Sequence, residues 1–146
     1  MIFNRSAPWA YLVPVLTVSD VRDAVLFYRA WGFVEHVQIG DGHRAQLGIP
    51  NTPGAELIVA EVRPGRRVPT ADRSHQLMLK VRDVDAAVQA AVLLHARVDV
   101  AAADYPYGER QATVTDPFGH QWTLTQTIAD TAPEAWGGVA VQPRER

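Results

Sequence analysis

Hydrophobic and polar positions along this chain follow two periods, and the order in which those periods alternate is itself repeated. Residues 11–18, YLVPVLTV, are apolar and β-branched, the pattern of a strand. Ser19 or Asp20 then offers a side-chain oxygen as a cap, and residues 21–31, VRDAVLFYRAW, carry Val21, Ala24, Val25 and Tyr28 at helical spacing. Gly32 ends that helix, because glycine tolerates left-handed geometry. Residues 33–39, FVEHVQI, alternate as a strand; Asp41 and Gly42 supply a hairpin turn, and HRAQLGI at 43–49 returns. After the turn NTPG at 51–54, residues 55–62, AELIVAEV, make a further apolar strand. The order is β-α-β-β-β.

The same order then begins again. Residues 75–81, HQLMLKV, read as a strand, Asp83 as a cap, and 84–95, VDAAVQAAVLLH, as a helix. ARVDVAA (96–102), ERQATVT (109–115) and HQWTLTQT (120–127) follow as strands, with turns at YPYG and DPFG. An offset of 63 residues places Asp20 on Asp83, Val18 on Val81, Leu16 on Leu79 and Gly32 on His95. The late hairpin needs an offset of 65, which pairs Gly54 with Gly119 and Asn51 with Asp116. Stacked repeat arrays need about three or more copies, so two copies fit a duplicated module better. Residues 64–73, PGRRVPTADR, read as the linker. The expected organisation is one structural domain. It comprises a first module with an N-terminal arm (1–63), the linker (64–73), a second module (74–128) and a C-terminal tail (129–146).

Composition narrows the class. Apolar residues make up 47% of the chain and charged residues 21%, as in a packed globule. The net charge of −2 gives no general electrostatic reason to bind nucleic acid or an anionic membrane. Arg63, Arg66, Arg67, Arg73 and Arg82 straddle the linker; a loop meeting an anionic ligand is one reading and a solvated connector the plainer one. Without cysteine there are no disulfides, thiolate metal sites or cysteine nucleophiles. The first residues do not read as a signal peptide, and no apolar run approaches the roughly 20 residues that span a bilayer. A cytoplasmic location is expected.

Local motifs exclude more than they assign. P-loop, GxGxxG, GxSxG, HxH and HExxH patterns are all missing. His36 and His43 flank a hairpin, where exposure is the ordinary outcome. His95, ending the second helix, suits the helix dipole, and His120, after a turn, reads as a solvent or turn contact. Trp31, Phe27 and Tyr28 lie at helical spacing and read as core or as a subunit contact. Trp122 alternates against Thr123 and is expected to pack under the second helix. Trp9 and Trp136 stand outside the repeat as anchors for terminal arms, with Thr131 a cap for a short turn at Pro133.

The segments VPVLTVSDVRDAVLFYRAWGF (13–33), VRDVDAAVQAAV (81–92) and DYPYGERQATVTDPFGHQWTLTQ (104–126) carry a family resemblance. The chain resembles the vicinal oxygen chelate superfamily (glyoxalase/bleomycin resistance/extradiol dioxygenase), with the DPFGH–Trp run similar to the bleomycin-resistance-like and PhnB-like branches. The resemblance covers about residues 11–128. It implies an α+β fold in which two βαβββ modules form a curved eight-stranded half-barrel, with helices outside and a ligand cavity inside. Homodimers are common in the family. Its metal-dependent members take His or Glu ligands from the first and last strands of each module, positions that fall here on Val13, Ile58, Gln76 and Thr123. Val and Ile carry no donor atom, and neutral Gln and Thr are weak ones, so that set does not make a metal site. His75 beside Gln76, and Glu56 two residues from Ile58, keep a shifted site in view. Against a slip, His75 shares its phase with Leu77, Leu79 and Val81, the stripe expected to face the helix. Tyr107 and Arg110 fall where the family often has a loop beside the cavity mouth. They read equally as ligand contacts and as a hairpin with Arg110 paired to an acid.

Two functions follow. In the first, the chain binds a small organic molecule without metal or other cofactor, in an antibiotic-sequestering role. Its ligand would meet Val13, Val15, Ile58, Gln76, Met78, Tyr107, Arg110 and Thr123, a mixed apolar and polar wall. In the second, the chain is a lyase, isomerase or dioxygenase with a displaced metal site drawn from His75, Glu56, His43 or Glu109. A metal-free enzyme using Glu56 or Lys80 as base lies between them. Whether any reaction occurs stays open. The expected partners are a small molecule and a second copy of the chain.

Overall fold

A computed structural model describes residues 2–142 and 144. Its elements run β1 (Val15–Val18), α1 (Val21–Arg29), β2 (Val34–Ile39), β3 (Arg44–Gly48), β4 (Glu56–Glu61), β5 (Leu77–Lys80), α2 (Val84–Leu93), β6 (Arg97–Tyr105), β7 (Glu109–Thr115) and β8 (Gln121–Thr127), then a 3₁₀ turn, Pro133–Trp136. The eight strands divide into two four-stranded sheets of identical order, β1-β4-β3-β2 and β5-β8-β7-β6. In each, the first strand pairs parallel with the last, and the other two pairings are antiparallel.

The duplication is visible in the register. Val15 sits opposite Ile58 and Met78 opposite Thr123, so the 63- and 65-residue offsets land on equivalent ladder positions. Both helices start on an aspartate: Asp20 accepts from the Asp23 N–H at 2.9 Å and Asp83 from the Ala86 N–H at 3.0 Å. Each satisfies a donor that the helix itself leaves unpaired. Gly32 (φ 96°) and His95 (φ 76°) occupy matching left-handed positions after the two helices. The strands β1 and β5 are shorter than the apolar runs that encode them. In β1 the cause is Pro14, which has no N–H for a ladder but accepts from the Ile58 N–H at 2.9 Å.

One face of each sheet is covered by helix. Leu16, Val18, Leu47, Leu57 and Val59 meet Val21, Ala24, Val25 and Tyr28 of α1, and Leu79, Val114 and Leu124 lie with Ala91 of α2 in the same buried cluster. The seam between modules is aromatic. Trp122 packs on Tyr28 and Trp31 of α1, with ring centroids 5.5 and 5.2 Å apart, and Phe118 completes the group against Phe27. Trp122 thus lies on the helix side of the second sheet, in one buried cluster with Ala91 of α2, and also bolts that face to the first module's helix. Trp31 reaches the other way, donating from Nε1 to the Ala87 carbonyl of α2 at 3.1 Å.

Asp116 fixes this seam. Its carboxylate, 3% exposed, accepts from the Tyr28 hydroxyl, from Trp122 Nε1 at 3.0 Å, and from the N–H groups of Phe118 and His120 at 3.0 and 2.9 Å. A buried carboxylate is tolerable when it is satisfied in this way. His120 is buried as well, with Nε2 2.7 Å from the Thr17 carbonyl of β1. It ties the modules together rather than meeting solvent.

In the tail, Ala132 precedes the 3₁₀ turn without a side-chain cap, so Thr131 does not play that part. Trp136 instead lies edge-on to Tyr107, centroids 5.4 Å apart. No described helix is long and apolar enough to cross a membrane.

Candidate functional site: the uncovered sheet faces

Strand alternation puts every second residue on the face away from the helices. In the first module that face carries Val15, Thr17, Gln46 and Ile58, as the pairings Val15–Ile58 and Gln46–Ile58 require. In the second it carries Met78, Gln111, Thr113, Thr123 and Thr125. The two faces differ in chemistry. The second is a web of hydrogen bonds: Thr123 donates to Gln76 Oε1 at 3.0 Å, and Thr113 and Thr123 meet at 3.2 Å. Gln111 donates to Thr125 at 3.1 Å, Tyr107 to Gln111 at 2.7 Å, and Thr125 to Glu109 at 2.7 Å. Partial burial alone would raise the Glu109 carboxyl. Hydrogen bonds from Thr125 and Thr127, with the charge of Lys80, outweigh it and hold the carboxyl below its usual range.

The first face is roofed. The N-terminal arm crosses it, with Gln46 Nε2 donating to the Ser6 carbonyl at 2.9 Å and the Ala10 N–H donating to the Glu56 carboxylate. Between arm and sheet lies a cavity of about 850 Å³, lined by Arg5, Trp9, Val37, Gln46, Ile49, the Pro50–Gly54 turn, His36 and Glu56. Apolar walls with a few convergent polar groups are what a small-molecule site needs. Its floor depends on Gly48. A Cβ there would lie 2.9 Å from His36 Nε2 and 3.3 Å from Glu56 Cγ, so both side chains converge over the bare backbone. A β-bulge between Glu35 and Val37 is what releases His36 from strict alternation.

The residues expected to meet ligand are dispersed. Gln76 and Thr123 are hydrogen bonded to each other on the second face, beside Met78, which is well exposed. Val15 and Ile58 lie on the first face, and Val13 precedes β1. Tyr107 is stacked on Tyr105, with centroids 5.4 Å apart, and edge-on to Trp136. Arg110 is on the helix side. It forms ion pairs with Asp85 of α2 and Asp104 of β6, both at 2.9 Å, and these carboxylates strengthen its hold on its charge. The large cavity takes in Glu56, which the sequence singled out, with Trp9 and His36, read there as an arm anchor and an exposed hairpin residue, and Gln46, which the sequence reading passed over.

The chain's donors do not fit the metal that the family implies. Val13 and Ile58 lack donor atoms, the Gln76 oxygen is engaged by Thr123, and among the described residues no three His, Asp or Glu converge. The displaced candidates are scattered. Glu56 is under the arm, Glu109 is bound to Thr125, His43 pairs with Asp41 at 3.1 Å, and His75 lies near the linker beside Ser74.

Comparison with known proteins accords with this architecture. The chain is 44% identical over 139 residues to an uncharacterised protein of Mycobacterium bovis, covering 82% of this chain and 84% of that one. Among solved structures, TioX from Micromonospora sp. ML1 matches with a TM-score of 0.60 at 25% identity, covering 84% of this chain and 100% of that one. FosX of Listeria monocytogenes, a genomically encoded fosfomycin resistance protein, matches in fold with a TM-score of 0.65 at 15% identity, covering 88% and 97%. Residues 10–124 match the Glyoxalase/Bleomycin resistance protein/Dioxygenase superfamily, and the chain belongs to that superfamily.

Proposed function

We propose that this protein binds a small organic molecule, apolar or aromatic in part, without metal, and works as a homodimer in the cytoplasm. The observation that carries the reading is the cavity of about 850 Å³ beneath the N-terminal arm. Trp9, Val37 and Ile49 supply apolar contact, while Gln46, His36 and Arg5 supply the few polar groups that orient a ligand. Of the positions singled out in the sequence, Val15, Gln76 and Met78 are exposed and extend the surface available to it, Val13 is half-buried, and Ile58 and Thr123 are buried in their sheets. Sequestration of an antibiotic is one use of such a pocket, and a screen therefore includes glycopeptide and aromatic antibiotics.

The test is thermal unfolding with a ligand panel. A ligand at about 100 times its dissociation constant stabilises the native state by about 2.7 kcal/mol, a rise of roughly 5–10 °C for a chain of this length. Trp9→Ala and Gln46→Leu are expected to shrink that rise while the unliganded protein still folds. An undiminished rise in both variants would move the ligand elsewhere.

A second reading, a reaction on the same ligand, rests on the convergence of His36 and Glu56 over Gly48. Such a pair can act as general acid and base toward a ligand held in the cavity. Turnover of short hydroxy-ketones without added metal, lost in Glu56→Gln, would favour it over binding alone.

A further inference from the structure

A second cavity, of about 300 Å³, lies between the linker and the exposed edge of β1. It is separate from the one beneath the arm and shares no lining residue with it. Its walls are held firmly. The linker passes over the turn after Asp116 so closely that a Cβ on Gly119 would stand 2.9 Å from the Pro69 carbonyl oxygen. On the other side His120 is hydrogen bonded to Thr17.

The charge of this cavity is unbalanced. Arg67 and Arg73 both line it, and among the described residues neither forms an ion pair. Arg73 is anchored by weak neutral contacts alone, to the Thr70 carbonyl at 3.2 Å and the Thr115 hydroxyl at 3.4 Å. Its Nε is buried and has no acceptor at all. A buried guanidinium N–H without a partner is costly, and a bidentate oxyanion is the group that fits it best. Ser74 and His75, 3.3 Å apart at Oγ and Nδ1, add polar groups on the same wall. Asp72 also lines the cavity but pairs with neither arginine.

We propose that the linker cavity is a binding site for a small oxyanion, a phosphate or phosphonate group gripped by Arg73 and Arg67. The site is independent of the ligand proposed for the larger cavity. Its volume leaves room for a small organic substituent on the anion.

The experiment is calorimetric titration of the full chain with inorganic phosphate and, separately, with phenyl phosphate. Saturable binding of one anion per chain is expected. Arg73→Gln should weaken it about tenfold or more, the ordinary worth of a charge-assisted pair. Arg67→Gln, at an exposed position, should also weaken it and keeps the test sound if the Arg73 variant fails to fold. Arg82→Gln, outside the cavity, should bind as the parent does. Tighter binding of phenyl phosphate would identify a phosphorylated small molecule as the occupant; equal binding would identify the free ion. The proposal is overturned if the parent shows no saturable binding or if both arginine variants bind unchanged. Loss of binding in Trp9→Ala would overturn it too, by placing the anion beneath the arm.

Discussion

At the scale of single residues, the seam between the modules depends on Tyr28 and Asp116. The Tyr28 hydroxyl is one of four donors to the buried Asp116 carboxylate. Tyr28→Phe removes it without changing shape, and denaturant unfolding should show a loss of about 2 kcal/mol, the worth of a hydrogen bond to a charged group. Burial, followed by the negative charge of Asp116, raises the Tyr28 phenol well above its ordinary range. In the unfolded chain the phenol releases its proton near pH 10, at about its ordinary value. Above that point the native state holds one more proton than the unfolded state, so stability falls as pH rises. The parent protein should lose stability progressively above about pH 10, and Tyr28→Phe should flatten that part of the profile. An identical alkaline slope in both proteins would show that another group sets it. His95 offers the opposite sign. It holds φ 76° where its counterpart Gly32 holds 96°, and left-handed backbone costs a residue with a side chain about 1 kcal/mol or more. His95→Gly should therefore raise stability, by about 0.5 kcal/mol once the added freedom of the unfolded glycine is deducted.

At the scale of elements, the chain's regular parts were legible because each follows a local rule. Alternation gave β2, runs bounded by turns gave the strands around it, helical spacing gave α1, the repeated order gave α2 and the second set of strands, and Asp20 and Asp83 marked where the helices start. The duplicated ladder followed from residue spacing. Less of the site was legible. No pattern announces the β2 bulge that frees His36, and none tells the arm to cross the first sheet, where Ser6 and Ala10 meet Gln46 and Glu56. Arg110 was ambiguous because its carboxylate partners come from α2 and β6, which only tertiary packing brings to β7. The linker is a similar case. Its course is fixed by contact with the turn at Gly119, which has both φ 93° and Pro69 overhead. Gly119→Ala adds a strained backbone and a clash at once, and should lower the melting temperature by several degrees, the effect of about 1–2 kcal/mol. Gly54→Ala, with φ 83° but open space around it, separates the two effects and should cost less.

At the scale of the whole molecule, the proposed homodimer draws on the surfaces that the fold leaves uncovered. β1, β2, β5 and β6 are the edge strands of the two sheets, and on the outer side of β1 the Thr17 carbonyl is already taken by His120. Bare edges invite pairing with another chain unless something covers them. Much of the apolar surface gathers near these edges and on the arm: Val15 and Met78 on the edge strands, then Phe3, Tyr11 and Leu12, of which Leu12 is 86% exposed. An arm tied to its own sheet at Ser6 and Ala10 while presenting Phe3 and Leu12 outward is shaped for contact with a second surface. Two copies related by a twofold axis would bury each such residue twice. Light scattering at micromolar concentration should therefore return about twice the 16.1 kDa chain mass. Burying a Leu or Phe side chain is worth about 1.5–3 kcal/mol. Replacing Phe3 and Leu12 together by Ser should then weaken association by about a hundredfold or more and yield monomer at the same concentration. Phe3 packs on Trp9 of the cavity beneath the arm, with ring centroids 5.7 Å apart, so ligand binding is followed in Leu12→Ser alone, whose side chain does not line that cavity and where the ligand-induced rise in melting temperature should survive. Its loss would mean that the second copy completes the ligand site, and a parent protein that scatters as a 16.1 kDa monomer would remove the dimer altogether.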